Sequence, residues 1–371
     1  MRVAIDVSAV PAQPAGAGVY VLRLVEALAA GGEIELDLVA RRDDGVRWAT
    51  LAGTARVHAV APIRRPARLA WEQAAGGRLA RRLGADVWHG PHYTMPLRVR
   101  PAVVTIHDLT FFDHPEWHER SKVPYFRAMI RAGAARAAGL VCVSQYTADR
   151  LAAVVGPRAP VTVVPHGVDH GRFSPERDPG DADRLAALGV RTPFVAFVGT
   201  LEPRKGVPAL VRAVDRLALT HRDLQLVLAG RPGWGVDEVE VALADAPALT
   251  GRVVRTGYVD DPTRTALLRG ADVVAYPSLE EGFGLPVLEA LAVGAAVVTT
   301  TGSAMEEVAG DAALLVAPGD EAALAGALEA VLAGGSDVER LRRAGPRVAA
   351  AYTWEASAAG HLKAYQEAAG A

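Results

Sequence analysis

Cysteine is nearly missing from this chain of 371 residues: Cys142 stands alone, so no intramolecular disulfide can form. It sits in the apolar run Leu140-Val-Cys-Val143 and reads as a buried core thiol rather than a reactive one, which suits a reducing cytoplasm. Nowhere do about 18 apolar residues run together without charge, so no membrane span is expected. The first residues, Met-Arg-Val-Ala-Ile-Asp-Val, are charged too early for a signal peptide. No cluster of His and Cys has the ligand spacing of a metal site. The basic residues come without a base-stacking motif, which argues against nucleic acid as a partner. Repeats and low-complexity tracts are also lacking, apart from frequent alanine.

Against these absences, 50% of the residues are hydrophobic and 22% charged, the balance of a soluble globular chain whose length favours two domains. Short apolar runs alternate with longer helical patterns. In the first half the runs are Val3 to Val7, Leu36 to Ala40, Asp86 to His89, Val103 to Ile106, Gly139 to Val143 and Val161 to Val164. A second series comprises Phe194 to Val198, Leu224 to Ala229, Val253 to Thr256, Val273 to Tyr276, Ala296 to Thr300 and Ala313 to Val316. Such alternation predicts parallel βα units and hence an α/β protein with two Rossmann-like, doubly wound domains. Pro165 to Gly180, rich in Pro, Gly and charge, suits a linker. The expected organisation is therefore a first domain over residues 1–168, a linker and hinge over 169–190 and a second domain over 191–353. A C-terminal helix over 354–371 is expected to pack back on the first domain. Open sheets bind ligands beyond the carboxyl ends of their strands, so two such domains facing each other would define an interdomain cleft.

Charge is uneven although the total is only −2. Residues 1–170 carry 21 Lys and Arg against 15 Asp and Glu, a balance of +6 that leaves −8 for the remainder. Arg64, Arg65, Arg68, Arg78, Arg81 and Arg82 surround a single acid, Glu72, and Arg120, Lys122, Arg127, Arg131 and Arg136 form a second group. With Leu69, Trp71 and Tyr125 nearby, these clusters allow a peripheral contact with anionic lipid at the inner face of the membrane, or with an anionic acceptor. A solvated helix face is the simpler reading.

The densest chemistry lies in Tyr276-Pro-Ser-Leu-Glu-Glu-Gly-Phe-Gly-Leu-Pro-Val-Leu-Glu289. Glu281 and Glu289 bracket Gly282, Phe283, Gly284, Leu285 and Pro286, and a helical apolar pattern follows, giving a strand, a glycine loop and a helix. Glycines let backbone approach a ligand, and the positive end of the helix attracts an anion such as a diphosphate. Glu289, about one turn into that helix, can accept hydrogen bonds from sugar hydroxyls. The arrangement suits a nucleotide-sugar.

This E-x7-E pattern followed by Ala290-Leu-Ala-Val-Gly294 resembles the signature of retaining glycosyltransferases of family 4, which have the GT-B fold. Three further segments carry the resemblance: Gly199-Thr-Leu-Glu-Pro-Arg-Lys-Gly206, similar to the donor-diphosphate loop; Val164 to Asp169 with Phe173-Ser-Pro175, similar to the interdomain connection; and Ser303 to Leu315. The segment Thr105 to Trp117 is similar to a mannosyltransferase-like branch. The resemblance implies a hexosyltransferase with a nucleotide-diphosphate sugar as donor, no other cofactor, and a carbohydrate-containing acceptor such as a polysaccharide, glycolipid or glycosylated natural product. Mannose from GDP-mannose is the expected donor, with glucose or GlcNAc from a UDP-sugar as the competing one. Glu281 would face the transferred sugar, Glu289 the ribose, and His107 the donor hexose.

Arg204 and Lys205 supply the cations that a leaving diphosphate needs. Asp181-Ala-Asp183 offers a metal-binding pattern, but its place just before a helical run is explained by capping, so a metal-independent mechanism is expected. Gly16 and Gly18 follow the first strand and can present backbone N–H groups to the donor phosphates; Ala17 departs from the double glycine of the family. His107 ends a strand beside Asp108, where active-site residues collect. His89 is an acceptor-side candidate, and His92 reads as a loop residue. Glycosidase-like roles for Glu281 and Glu289 fit less well, since the glycine-rich helix start points to donor binding rather than hydrolysis. A nucleotide-sugar epimerase of the same fold, or a silent nucleotide-sugar-binding subunit, are the alternatives.

Overall fold

The computed structural model describes residues 1–370. The chain divides into two compact units, one of residues 1–167 together with the chain from Thr353 onward, the other Val168–Tyr352.

Seven strands build the first unit: β1 (Arg2–Asp6), β2 (Glu35–Arg41), β3 (Arg56–Ala61), β4 (Val87–Gly90), β5 (Ala102–Ile106), β6 (Gly139–Cys142) and β7 (Val161–Val163). They are ordered β3-β2-β1-β4-β5-β6-β7 and all pair in parallel. β4, β5 and β6 are buried along their whole length, which is why they read as continuous apolar runs. β3 differs. It lies at the sheet edge with an exposed and half-buried pattern, so its sequence Arg-Val-His-Ala-Val-Ala gives no apolar run, and it adds a strand that the sequence analysis does not anticipate. Side chains hold it instead: Asp37 on β2 accepts from Arg56 at 3.0 Å and from the His58 ring at 2.6 Å.

Helix Trp354–Gly370 covers this sheet, packing on helix Ala17–Gly31 and on β4 to β7. Its buried polar side chains are joined to the sheet by an ordered chain of hydrogen bonds. His361 Nδ1 lies 2.7 Å from the Ser357 carbonyl, which can only accept, so the ring carries its proton there. Its Nε2 then accepts from the Tyr20 hydroxyl at 2.8 Å, and Tyr20 accepts from Thr105 at 2.9 Å. Thr105 accepts from His89 Nε2 at 2.8 Å, leaving His89 Nδ1 to accept from Tyr365 at 2.8 Å. Both rings are neutral in this order.

Burial lowers the proton affinity of five histidines in this unit: His89, His92, His107, His166 and His361, with His361 at about 4 against an ordinary 6.5. The unfolded chain protonates these rings first, so between pH 6.5 and 4 it binds more protons than the fold, and stability falls as pH drops through that window. The urea midpoint is accordingly expected to decline from pH 7 to 5. His361→Gln, which keeps an acceptor for Tyr20 but cannot titrate, should give a shallower decline. Identical slopes for the two proteins would remove His361 from this account.

The second unit has six strands: β8 (Phe194–Val198), β9 (Gln225–Ala229), β10 (Val253–Gly257), β11 (Val273–Tyr276), β12 (Val297–Thr300) and β13 (Ala313–Val316). Their order is β10-β9-β8-β11-β12-β13, again all parallel, and each coincides with an expected apolar run. Residues from Val168 onward belong to this unit. Val168 N donates to the Tyr352 carbonyl at 3.1 Å, Phe173 is buried, and Arg269 Nε donates to the Ser174 carbonyl at 3.1 Å. Helix Asp181–Ala187 packs on helix Asp261–Gly270. Its cap is Gly180, and neither acid of Asp181-Ala-Asp183 caps through its side chain. Asp181 is instead ion-paired with Arg269 at 2.5 Å, a packing role in place of the expected capping one. Cys142 is buried at the end of β6, and burial pushes its thiol up to about 12, consistent with an inert core residue.

Candidate active site

In the second unit the order of strands reverses between β8 and β11, the point at which open α/β sheets receive ligands beyond their carboxyl ends. The loops leaving these two strands are joined there: Leu279 N donates to the Arg204 carbonyl at 2.9 Å. Gly206 is held at φ +73°, and a Cβ on it would stand 2.0 Å from the Pro277 carbonyl oxygen, so only glycine allows the approach.

This approach brings together residues far apart in sequence. Lys205 Nζ donates to Glu281 Oε1, which also accepts from Ser278 Oγ at 2.8 Å and from Tyr276 OH at 3.3 Å. Arg204 lies 4.0 Å from the other Glu281 oxygen and donates from Nε to Glu202 at 2.7 Å. Burial opposes both charges of the central pair. At Glu281 it is outweighed by Lys205 and Arg204, and the carboxyl is held below its ordinary range. At Lys205, burial and then the neighbouring Arg204 guanidinium pull the ammonium downward despite Glu281. The site thus holds a desolvated cation and anion side by side, the conditions under which charges act strongly on a substrate.

Beyond Glu281 the chain runs through Gly282 and Phe283, whose ring is buried and meets Tyr352 edge-on at 6.0 Å. Gly284 precedes helix Leu285–Ala292 with φ +100°, a conformation open to glycine, and a Cβ there would fall 2.9 Å from Met305 Cγ. Glu289 lies inside the helix, 5% exposed, with Oε2 3.3 Å from Arg264. Arg264 also donates to Asp261 at 2.9 Å and covers the Phe173 ring at 5.0 Å. Ser278, Tyr276 and Arg264, which the sequence analysis does not assign, are therefore immediate partners of the two carboxylates. Ser278 and Tyr276 belong to the same motif as Glu281; Arg264 gives no signal of its own.

In the first unit Gly16 (φ +49°) immediately precedes helix Ala17–Gly31, and Gly18 is buried in its first turn. Tyr20, one turn on, is anchored by the hydrogen-bond chain. His107 leaves β5 buried, donating from Nε2 to the Pro91 carbonyl at 2.8 Å, so the neutral ring keeps Nδ1 as an acceptor. Tyr20 and Tyr93 meet it edge-on at 5.1 Å and 5.4 Å. His89 is corrected as an acceptor-side candidate: both its ring nitrogens are taken by Thr105 and Tyr365 and it is fully buried.

The basic clusters are divided. Arg65 covers the Phe126 ring at 5.6 Å, Arg131 covers Phe112 at 4.9 Å, and Arg127 donates to the Phe111 carbonyl at 2.7 Å. Arg64, Arg78, Arg81, Arg82, Arg120 and Arg136 remain exposed. Among the described residues no helix is long and apolar enough to cross a membrane.

Residues 192–334 match the family described as Glycosyl transferases group 1, and residues 14–172 match Glycosyltransferase Family 4. The chain is 30% identical to O-antigen chain mannosyltransferase B of Escherichia coli, over 76% of this chain and 74% of that protein. Its structure is similar to sucrose-phosphate synthase from Thermosynechococcus elongatus, with a TM-score of 0.81 at 22% identity and 98% of each chain covered. It is also similar to Anabaena HepE, solved in complex with UDP-glucose, with a TM-score of 0.79 at 20% identity and again 98% of each chain covered. At these identities the two structures speak to the fold, which is two-domain GT-B.

Proposed function

The chain belongs to glycosyltransferase family 4, and from that premise we propose that this glycosyltransferase is a metal-independent, retaining hexosyltransferase that uses mannose from GDP-mannose as donor and a carbohydrate-containing molecule as acceptor. The observation that carries the reading is the buried Lys205–Glu281 pair, with Arg204 beside it, at the strand reversal of the second unit. Cleaving the anomeric bond leaves its electron pair on a diphosphate, and Lys205 and Arg204 stabilise the charge that grows there. Glu281 faces the transferred hexose and its developing oxocarbenium charge. Glu289, oriented by Arg264, accepts from the ribose hydroxyls. His107 offers Nδ1 to a hydroxyl of the hexose, while Gly16 and Gly18 present backbone to the phosphates. The Escherichia coli relative supports mannose; the UDP-glucose held by HepE keeps UDP-glucose as the competing donor.

A thermal-shift panel of UDP-, GDP-, ADP- and TDP-sugars tests the donor directly, because a ligand at a hundred times its Kd stabilises the fold by about 2.7 kcal/mol. GDP-mannose is expected to give the largest shift. A larger shift with UDP-glucose would reassign the donor, and no shift with any of them would reject nucleotide-sugar binding.

A further inference from the structure

Five polar side chains are fully buried where helix Trp354–Gly370 meets the first sheet and helix Ala17–Gly31: Tyr20, His89, Thr105, His361 and Tyr365. Apolar residues of similar size could hold the helix as firmly, so a satisfied polar chain in this place adds a unique geometry rather than strength. What it fixes lies at one end. Tyr20 stands two residues past Gly18, and Thr105 two residues before His107. The Tyr20 hydroxyl is shared between Thr105, at 2.9 Å, and His361, at 2.8 Å, so its ring cannot tilt without losing one of them.

That ring is a surface on which His107 rests. The two meet edge-on at 5.1 Å with their planes 76° apart. The bond from His107 Nε2 to the Pro91 carbonyl at 2.8 Å fixes one point of the imidazole but leaves rotation about it, which the rings of Tyr20 and Tyr93 limit. The backbone is held separately, by the Thr147 hydroxyl donating to the His107 carbonyl at 3.2 Å. A second route leads from the same helix to the same tyrosine: Trp354, its first residue, is stacked on His166 at 6.0 Å, and His166 lies 4.7 Å from the Tyr20 ring. Trp354 and His361, about two turns apart, thus converge on Tyr20.

We propose that Tyr20 is a positioning residue for the transfer step: held by His361 at its hydroxyl, it sets the angle at which His107 presents Nδ1 to the hexose, so that the C-terminal helix acts on the reaction. The proposal rests on the transferase reading, in which His107 touches the hexose. Tyr20 itself is fully buried and acts only through His107. Phenylalanine would supply the same ring without either hydrogen bond, so the role lies in the hydroxyl.

The test is therefore Tyr20→Phe, with turnover of the intact protein read as GDP released from GDP-mannose and water as the acceptor. Its kcat should fall about tenfold and its KM change less than about twofold, because a misplacement of about 1 Å costs on the order of a hundredfold and a tilted ring moves Nδ1 by less. In a His107→Ala background the same substitution should change kcat by less than about twofold, since nothing is left for Tyr20 to act through. His361→Leu should reproduce the Tyr20→Phe loss, and His361→Gln, which keeps an acceptor for Tyr20, should recover most of it; if His361→Leu does not fold, Tyr20→Phe decides alone. Orientation is also read without turnover, in long-range proton–nitrogen NMR spectra of protein isotope-labelled at histidine, with His107 assigned from His107→Ala. A single Nε2–H tautomer is expected in the parent and exchange between tautomers in Tyr20→Phe, a change that packing lost elsewhere would not produce. The proposal is overturned if Tyr20→Phe leaves kcat or the His107 tautomer unchanged, or if its loss adds in full to that of His107→Ala. Full activity in His107→Ala alone would overturn the hexose role of His107, and this proposal with it.

Discussion

Lys205→Ala is expected to lower turnover by a factor on the order of a hundred or more, the scale of removing one preorganised transition-state charge contact. The structure gives this substitution two consequences. It removes the cation proposed for the leaving diphosphate, and it strips Glu281 of the partner that donates to Oε1. Burial alone would drive the Glu281 carboxyl up, and with Lys205 gone it is opposed by Arg204, from 4.0 Å and already bound to Glu202, and by the Ser278 hydroxyl. The acidic limb of the pH–rate profile should therefore move to higher pH in the variant, a signature that loss of a phosphate contact alone would not produce. Lys205→Arg should rescue poorly, because the site is 9% exposed and shaped around a compact ammonium. EDTA, in contrast, should leave turnover within about twofold, since no step is assigned to a divalent ion. Loss of activity in EDTA with recovery on adding manganese would discard the mechanism, and so would a Lys205→Ala enzyme of near-normal rate.

Both sheets were largely legible because interior parallel strands are buried on two faces and become unbroken apolar runs, as in Phe194 to Val198. β3 escaped for the converse reason: an edge strand anchored by Arg56 and His58 on Asp37 has no such run to show. Composition over Pro165 to Gly180 suits a linker, with 169–190 the expected hinge, yet Phe173 and Asp181 tie the segment to Arg264 and Arg269, pairings that only the folded chain specifies. His89 and His107 illustrate the same limit at the candidate site. Each stands at the carboxyl end of a strand, and what separates them is Tyr365, 276 residues beyond His89, which occupies one of its nitrogens. Local motifs placed Glu281 and Lys205 on loops. That the two would meet, 76 residues apart, depends on the neighbouring positions of β8 and β11 in the sheet.

The two carboxylates of the E-x7-E segment should separate kinetically, because only contacts that strengthen in the transition state accelerate the chemical step. Glu281 sits among Lys205, Ser278 and Tyr276, and its proposed partner is the charge that develops on the hexose. Glu281→Gln keeps a hydrogen-bond acceptor for Lys205 but removes the negative charge, so kcat should fall strongly while donor affinity changes little. Glu289 is placed differently, 3.3 Å from Arg264, and that guanidinium fixes the carboxylate for hydrogen bonds that would form on donor binding and persist through the reaction. Such uniform binding acts on KM, and Glu289→Gln should mainly raise KM for the donor. A charged acceptor lost from a desolvated site costs about 1.5 to 3 kcal/mol, or roughly ten- to a hundredfold in affinity. The variant also leaves Arg264 with Asp261 as its remaining anionic partner, so a modest drop in Tm should accompany the KM effect. Steady-state kinetics on both variants, with folding verified by circular dichroism, decides the assignment. Matching kinetic profiles, or full activity in both, would make the pair a structural feature of the loop and helix rather than two functional groups with distinct roles.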